Sequence, residues 1–172
     1  MSKVLIAFYS RKGMNYTSSG IKNLPVGNTE LLANKIKELL PEADMFHIDT
    51  VKTYPEDYTE CTEVSKKELH DNARPELTAK VENMEQYDTI ILGYPCWWGT
   101  MPMGCWTFLE SYSFDNKTII PFCTNEGSGN GSSVSDIKKL CPNAKVTKGT
   151  AVRGTACAHA DKEAKSIAEQ AK

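Results

Sequence analysis

The chain has 172 residues, of which 40% are hydrophobic, so it is long enough to form one domain with a substantial buried core. Its 20 basic and 22 acidic residues give a net charge of −2, which provides no basic surface for nucleic acid or for an anionic membrane. Because no apolar run approaches a membrane span and no secretory signal is recognisable, we expect a single cytoplasmic domain over residues 1–172.

The six cysteines are widely separated and include neither a CxxC pair nor a nearby histidine at ligand spacing; they are Cys61, Cys96, Cys105, Cys123, Cys141 and Cys157. This distribution predicts free, reduced thiols and no metal site.

The first predicted element is a strand from Lys3 to Tyr9. It is apolar on consecutive residues, as expected where helices cover both faces of a parallel sheet. The segment that follows, from Ser10 to Gly27, is rich in Ser, Gly, Asn and Tyr and shows no periodicity. We interpret it as a surface loop, ordered or mobile, in which residues 12–26 are an insertion before the next helix.

From Asn28 or Thr29 the sequence predicts a helix, because both residues are favoured N-caps and an apolar stripe follows as far as Pro41. The later predicted helices are Tyr58 to Asn72, a short piece over Leu77 to Met84, Met103 to Tyr112, Val134 to Leu140, and Ala160 to Ala171. The later predicted strands are Asp44 to Ile48, Asp88 to Tyr94, Lys117 to Cys123, and Ala144 to Val152 with an interruption at Lys148 and Gly149.

This alternation predicts an open, doubly wound α/β sheet, because parallel neighbours need helical crossovers. Such sheets bind ligands at the carboxyl ends of their strands, near the point where the strand order reverses. The candidate site is therefore formed by the loops after the first, third and fourth strands.

The loop after the first strand brings polar side chains to a helix N-terminus. Ser10, Asn28 and Thr29 stand there, where free backbone N–H groups and the helix macrodipole favour an anion such as phosphate. An ordinary N-cap would explain the same residues, and neither a P-loop nor a GxGxxG pattern is present. The interpretation as a phosphate site depends on the other two loops.

Those two loops supply what a flat ring would need. Residues 95–102, PCWWGTMP, contain adjacent tryptophans, one of which we expect to cap the core while the other stacks on a planar ligand. In the same loop, Gly99 permits a peptide to change orientation at low cost. Residues 124–133, TNEGSGNGSS, form either a flexible connector or a set of amides that bonds the polar edge of a heteroaromatic ring. Together the three loops indicate a mononucleotide with a large flat ring.

The segments FYS with GNTE, GYPCWWG and FCTNEGSGNGSS resemble those of the flavodoxin-like FMN proteins, and the resemblance covers nearly the whole chain. It implies a three-layer sandwich around a five-stranded parallel sheet of order 2-1-3-4-5, with FMN at the switch point. By position, it also implies residues for each part of the cofactor. The phosphate would be held by Ser10, Asn28 and Thr29, with Lys12 as an additional contact. One side of the isoalloxazine would be lined by Pro95, Cys96, Trp97, Trp98 and Gly99. The other side and the pyrimidine edge would be lined by Thr124, Glu126, Gly127 and Ser128.

The resemblance implies a redox protein whose non-covalent FMN exchanges electrons with a partner protein or a small-molecule acceptor. Trp97 is the preferred stacking residue, a backbone group near Trp98 and Gly99 would bond N5–H of the flavin, and Glu126 would lower the reduction potential. One alternative is an NAD(P)H-dependent FMN reductase of quinones or nitro compounds, with the inserted loop contributing to the pocket. A non-redox domain that binds a partner through its tryptophans is a further alternative. Catalysis by Cys96 is disfavoured, because no histidine is placed in the sequence to activate it.

Overall fold

A computed structural model describes residues 3–172, which form eight strands and five α-helices. The strands are β1 (Val4–Phe8), β2 (Gly13–Thr17), β3 (Gly20–Leu24), β4 (Asp44–His47), β5 (Thr89–Pro95), β6 (Thr118–Asn125), β7 (Lys145–Val146) and β8 (Thr150–Arg153). The helices are α1 (Asn28–Leu39), α2 (Tyr58–His70), α3 (Met103–Glu110), α4 (Ser133–Leu140) and α5 (Asp161–Gln170).

The main sheet is parallel, with its strands in the order β4-β1-β5-β6, and both β7 and β8 pair with β6. β7 and β8 together are the predicted fifth strand, interrupted between Val146 and Thr150. Gly149 lies in that interruption with φ of +85°, a conformation that glycine adopts at little cost. The predicted α/β fold and the order 2-1-3-4-5 are confirmed.

The sheet has a core on each face, which explains why β1 is apolar without alternation. Leu5 and Ala7 belong to the core that α3 and α4 cover, whereas Ile6 and Phe8 belong to the core that α1 and α5 cover. All five residues of β1 are buried. The three layers are therefore helices, sheet and helices, as predicted.

The segment predicted to be a loop between β1 and α1 contains a β-hairpin instead. β2 and β3 pair in antiparallel register, and the Thr17 hydroxyl donates to the Gly20 carbonyl at 2.6 Å across the turn. The prediction of a surface loop missed the two strands because this ribbon is largely exposed, so neither of its faces required the apolar alternation that identifies a strand.

The helix predicted over Leu77 to Met84 is absent, and only one 3₁₀ turn forms, at Met84–Gln86. Thr50 and Leu77 form an isolated antiparallel bridge, in which the Val51 amide donates to the Glu76 carbonyl at 2.8 Å. These hydrogen bonds hold the segment extended. A 3₁₀ helix at Gly154–His159, directly after β8, was not predicted.

Several helices begin or end one or two residues away from their predicted bounds. α2 ends at His70 rather than Asn72, because Asn72 has φ of +52° and leaves the helical conformation. Its start at Tyr58 was predicted correctly, and the Asp57 carboxylate caps it by accepting the Glu60 amide at 2.9 Å.

Candidate functional site

A cavity of about 380 Å³ opens at the carboxyl ends of the main-sheet strands. β1 lies between β4 and β5, so the connections after β1 and β5 leave toward opposite sides, and the predicted switch point is here. The cavity is lined by Arg11, Asn15, Tyr16, Asn28, Tyr58, Cys61, Thr62, Ser65, Pro95, Cys96, Trp97, Trp98, Thr124, Asn125, Glu126, Ser128 and Gly154. The structure thus brings together residues from all three predicted loops.

At one end of the cavity, the loop after β1 supports the N-terminus of α1. Gly27 precedes the helix and has no side chain to cap it, so the Ser10 hydroxyl accepts the Glu30 amide at 3.1 Å instead. A Cβ on Gly27 would overlap Ser10 Oγ and come within 2.8 Å of the Arg11 carbonyl oxygen. Glycine at position 27 therefore allows the loop and the helix to approach this closely.

Of the four residues predicted to hold a phosphate, Asn28 lines the cavity and the other three do not. Thr29 is 2% exposed, and its hydroxyl oxygen is 2.8 Å from that of Thr124. Ser10 caps α1 from below, while Asn28 lines the cavity directly. Lys12 is exposed and faces a separate depression, together with hairpin residues and Glu56.

The loop after β5 is a tight turn that places a tryptophan in a strained conformation. The Trp97 amide donates to the Thr100 carbonyl at 2.8 Å, and the Thr100 amide returns a bond of 3.2 Å. The two central residues both have positive φ, +54° at Trp98 and +81° at Gly99, as in a type I′ turn. A bulky residue at positive φ costs on the order of 1 kcal/mol or more and is commonly found at functional sites.

The two tryptophans have different environments. Trp97 makes edge contacts with Tyr9 and Tyr54, with ring centroids 5.3 and 5.1 Å apart, and packs against the core. Trp98 is 49% exposed, and its indole N–H donates to Thr62 O and Ser65 Oγ of α2, each at 3.1 Å. Both line the cavity, and the choice of Trp97 for stacking remains a prediction.

Cys96 lines the cavity directly after β5 and is half-buried. The neighbouring Cys123 thiol lowers the pKa of Cys96 to about 6, with smaller contributions from Ser128 and the Gly99 amide, although burial opposes the change. The same contact, followed by burial, raises the pKa of Cys123 far above its usual range. The surroundings of Cys96 therefore favour its thiolate form.

No histidine accompanies this thiolate, since none of His47, His70 and His159 lines the cavity. All six cysteines are free. Within residues 3–172, no group of three or more His, Cys, Asp or Glu side chains is arranged to hold a metal ion. Over the same residues, no helix combines the length and the apolar character needed to cross a membrane.

The loop after β6 carries a carboxylate without a well-formed hydrogen bond. Both side-chain oxygens of Glu126 are buried and have no donor in good hydrogen-bond geometry, although two backbone amides lie nearby. Burial raises the pKa of Glu126, while Arg153 and the backbone amides of Thr155 and Gly154 act in the opposite direction. A Cβ on Gly154 would overlap both Glu126 Oε1 and Asn28 Nδ2, so the loops after β1, β6 and β8 converge here.

Of the other residues predicted in the loops after β5 and β6, some line the cavity and some lie outside its lining. Pro95, Thr124 and Ser128 line the cavity, whereas Gly99 and Gly127 are outside its lining. The Gly99 carbonyl accepts the Ser132 amide at 2.7 Å, and this bond joins the two ring loops.

Sequence reasoning assigned the inserted segment to the pocket only in the reductase alternative, and it missed the part of the cavity wall formed by α2. The wall that the hairpin and α2 form contains Asn15 and Tyr16 of β2 and Tyr58, Cys61, Thr62 and Ser65 of α2. One feature of the sequence could have indicated that α2 lines the cavity. Its apolar side is too narrow to cover a core face and is bordered by hydroxyl residues. Arg11 and Asn125, each next to a predicted residue, and Gly154, which directly follows β8, were also missed.

The fold and the cavity define a doubly wound α/β protein with a cavity at its switch point, bounded by a helix N-terminus and by adjacent tryptophans. A family model described as Flavodoxin matches residues 3–167. The chain therefore belongs to the flavodoxin family. Comparison with the curated proteins found no match.

Two solved structures from Bacteroides, both described as candidate flavoproteins, are similar to this chain. The Bacteroides uniformis protein is 26% identical, with a TM-score of 0.74 and coverage of 95% of this chain and 98% of its own. The Bacteroides eggerthii protein is 27% identical, with a TM-score of 0.71 and coverage of 96% and 99%. A flavoprotein of Lactobacillus acidophilus, solved in complex with FMN, has the same fold at 20% identity, with a TM-score of 0.68 and coverage of 94% and 98%.

Proposed function

We propose that this protein binds FMN non-covalently in the switch-point cavity and transfers electrons through it in the cytoplasm. The observation that carries the proposal is the cavity itself, which joins the N-terminus of α1 to the tryptophan turn within one site. The Lactobacillus acidophilus protein of the same fold was crystallised with FMN, which supports the choice of cofactor.

The residues present fit FMN at three points. The Glu30 amide is bonded to Ser10, so the first-turn amides of α1 that suit a phosphate are those of Asn28 and Thr29, with the Asn28 side chain at the cavity. The unpaired oxygens of Glu126 need donors, and the ribityl hydroxyls and the pyrimidine N–H of FMN are donors. Trp97 and Trp98 offer indole surface for the flat ring. Bound FMN would supply one- and two-electron chemistry.

The chain's own residues would orient the ring and set its electrostatic surroundings. The Gly99 carbonyl is already bonded to Ser132, so the Trp98 carbonyl is the acceptor that remains in the turn for a ring N–H. The Glu126 carboxylate would disfavour additional negative charge nearby and so lower the reduction potential.

An absorption spectrum of the protein as purified, followed by titration with FMN, tests this proposal. We expect retained flavin or saturable uptake of one FMN per chain, and weaker uptake by Trp97→Ala. Colourless protein that fails to retain added FMN would contradict the proposal. Uptake that is unaffected by Trp97→Ala would instead favour a partner-binding role for the tryptophans.

A second candidate function is reduction of small molecules, with NAD(P)H as electron donor and a quinone or nitro compound as acceptor. The observation that favours it is the additional wall formed by β2 and α2, which extends the cavity beyond the ring loops. NAD(P)H consumption in the presence of such an acceptor, without any added reductase, would support this function. If turnover requires a separate reductase, the protein acts as a carrier for a redox partner protein.

A further inference from the structure

Three aromatic side chains contact one another between the cavity and α2. Trp97 lines the cavity, and its ring centroid lies 5.3 Å from that of Tyr9 and 5.1 Å from that of Tyr54, with both contacts edge to face. The rings of Tyr9 and Tyr54 also meet edge to face, with centroids 6.5 Å apart. Neither tyrosine lines the cavity. Their contacts with Trp97 therefore extend the aromatic surface of the cavity into the protein beside it.

Tyr54 is joined to a carboxylate at its far end. Its hydroxyl donates to Oε1 of Glu68, on α2, at 2.5 Å. Both side chains are partly buried. Burial, followed by this hydrogen bond, raises the pKa of Tyr54 above its ordinary range, so the phenol keeps its proton at neutral pH. The carboxylate thus stands where the phenol proton would go if Tyr54 were oxidised.

Tyr9 makes the same kind of contact with Trp97 but has different surroundings. It is 5% exposed. Burial raises the pKa of Tyr9 most, and Asp49 adds to this change through its charge rather than through a hydrogen bond. A phenol that loses an electron becomes strongly acidic and releases its proton. Of these two tyrosines, it is therefore Tyr54 that has a proton acceptor in place.

We propose that Tyr54, with Glu68 as its proton acceptor, is a redox-active residue that reduces oxidised Trp97. A one-electron oxidant in the cavity, such as an oxygen-centred radical, removes one electron from the Trp97 indole. One electron then passes from Tyr54 to the indole, which keeps its N–H proton or recovers it from water. The phenol O–H bond of Tyr54 breaks, and its proton passes to Oε1 of Glu68. The products are intact Trp97, a neutral phenoxyl radical at Tyr54 and a neutral carboxylic acid at Glu68.

This activity goes beyond the proposed function and requires no particular ligand in the cavity. The transfer moves the oxidising equivalent from a residue that lines the cavity to one that does not. Because Tyr54 is only partly buried, a small reductant such as ascorbate can return one electron to it, while Glu68 returns the proton. Trp97 and any ligand beside it are thereby protected from irreversible oxidation.

Pulse radiolysis of the purified protein with the azide radical tests the proposal, because this radical oxidises tryptophan in preference to tyrosine at neutral pH. Combining Trp98→Phe with Trp106→Phe leaves Trp97 as the one tryptophan of the chain. We expect the absorption of the tryptophan radical to decay at the rate at which that of the tyrosyl radical rises. The rate should not depend on protein concentration, and it should be lower in D₂O because an O–H bond breaks.

Two pairs of variants in this background assign the residues. Tyr54→Phe should abolish the transfer, whereas Tyr9→Phe, which removes the other tyrosine in contact with Trp97, should leave it unchanged. Glu68→Gln should slow the transfer by roughly a hundredfold, through the loss of a positioned proton acceptor. Glu63→Gln is its matched control, because Glu63 is an exposed carboxylate on the same helix.

Transfer that survives Tyr54→Phe, or that Tyr9→Phe abolishes as well, would overturn the inference. A rate that neither Glu68→Gln nor D₂O changes would also overturn it. If Tyr54→Phe does not fold, as judged by circular dichroism, Glu68→Gln and the D₂O measurement decide the question. No step of the test uses FMN, so a failure here leaves the proposed function standing, and a failure to retain FMN leaves this inference standing.

Discussion

At the scale of single residues, Cys96 is the cysteine whose pKa is lowered. In the other five cysteines, burial or a neighbouring thiol raises the pKa of the thiol. Cys96 alone is stabilised as a thiolate, chiefly by the Cys123 thiol. The thiolate is the reactive form of cysteine, so alkylation should be selective for this position.

We predict that the rate of Cys96 alkylation by iodoacetamide follows a titration curve with its midpoint near pH 6 and reaches a plateau about one pH unit higher. The sign follows from the lowered pKa, since the unreactive protonated thiol predominates only below that pH. Peptide mass spectrometry after timed alkylation measures the rate at each cysteine. Cys123→Ala should move the midpoint to higher pH, whereas Cys141→Ala should not. A midpoint near that of an ordinary thiol in the unmodified protein would contradict the prediction.

Glu126 should tune the flavin of the proposed function through its charge. Replacement by Gln removes a negative charge near the ring, so the reduction potential should rise. At an effective dielectric constant of about 20, a unit charge within roughly a nanometre contributes on the order of 2 kcal/mol. That energy corresponds to a shift on the order of tens of millivolts for a two-electron couple.

Spectroelectrochemical titration of FMN-loaded Glu126→Gln measures this shift, with the exposed Glu169→Gln of α5 as control. The pKa of Glu126 is raised, so its charge is present above that pKa and is lost as the pH falls through it. The difference between wild type and Glu126→Gln should therefore shrink toward low pH. An unchanged or lowered potential at pH 8 would refute the charge effect.

At the scale of elements, the two halves of the site are joined by a buried pair of hydroxyls. Thr29, near the start of α1, meets Thr124, near the end of β6, at 2.8 Å, and each residue is no more than 5% exposed. On the other side, Thr100 and Ser132 both donate to Asp136 of α4, at 2.6 and 3.0 Å. These contacts fix the three loops relative to one another.

Replacing either buried threonine should leave the other hydroxyl without its partner. We predict that Thr29→Val and Thr124→Val each lower the free energy of unfolding by about 1–2 kcal/mol. The double variant should lose less than the sum, with a coupling energy of about 1 kcal/mol. Urea denaturation measures all three, and the exposed Thr59→Val is the control. Strictly additive losses would show that the hydroxyls do not interact.

At the scale of the whole molecule, the elements that build the parallel sheet were the most predictable. β1, β5 and β6 are buried on both faces, so their apolar runs were sufficient to place them. The sequence pattern also located the three loops, because helical crossovers between parallel strands place these loops at the same end of the sheet. The site residues inside those loops came from family resemblance rather than from periodicity.

Three features required the folded structure. The hairpin is too exposed to show a strand pattern, and it became recognisable only through its own backbone pairing. The segment around Leu77 has helical composition, but pairing with Thr50 holds it extended. The wall of Tyr16 and Tyr58 joins residues far apart in sequence, and no local pattern specifies that contact.

The amino-acid sequence by itself determined the α/β class, the strand order through family resemblance, and the three loops that bound the cavity. These depend on burial and on chain connectivity, which apolar runs and turn residues encode locally. Only the tertiary structure decided that Ser10 caps α1, that Lys12 lies away from the cavity, and that Cys96 meets Cys123. Such contacts depend on distances of a few ångströms between segments separated along the chain, and packing alone fixes those distances.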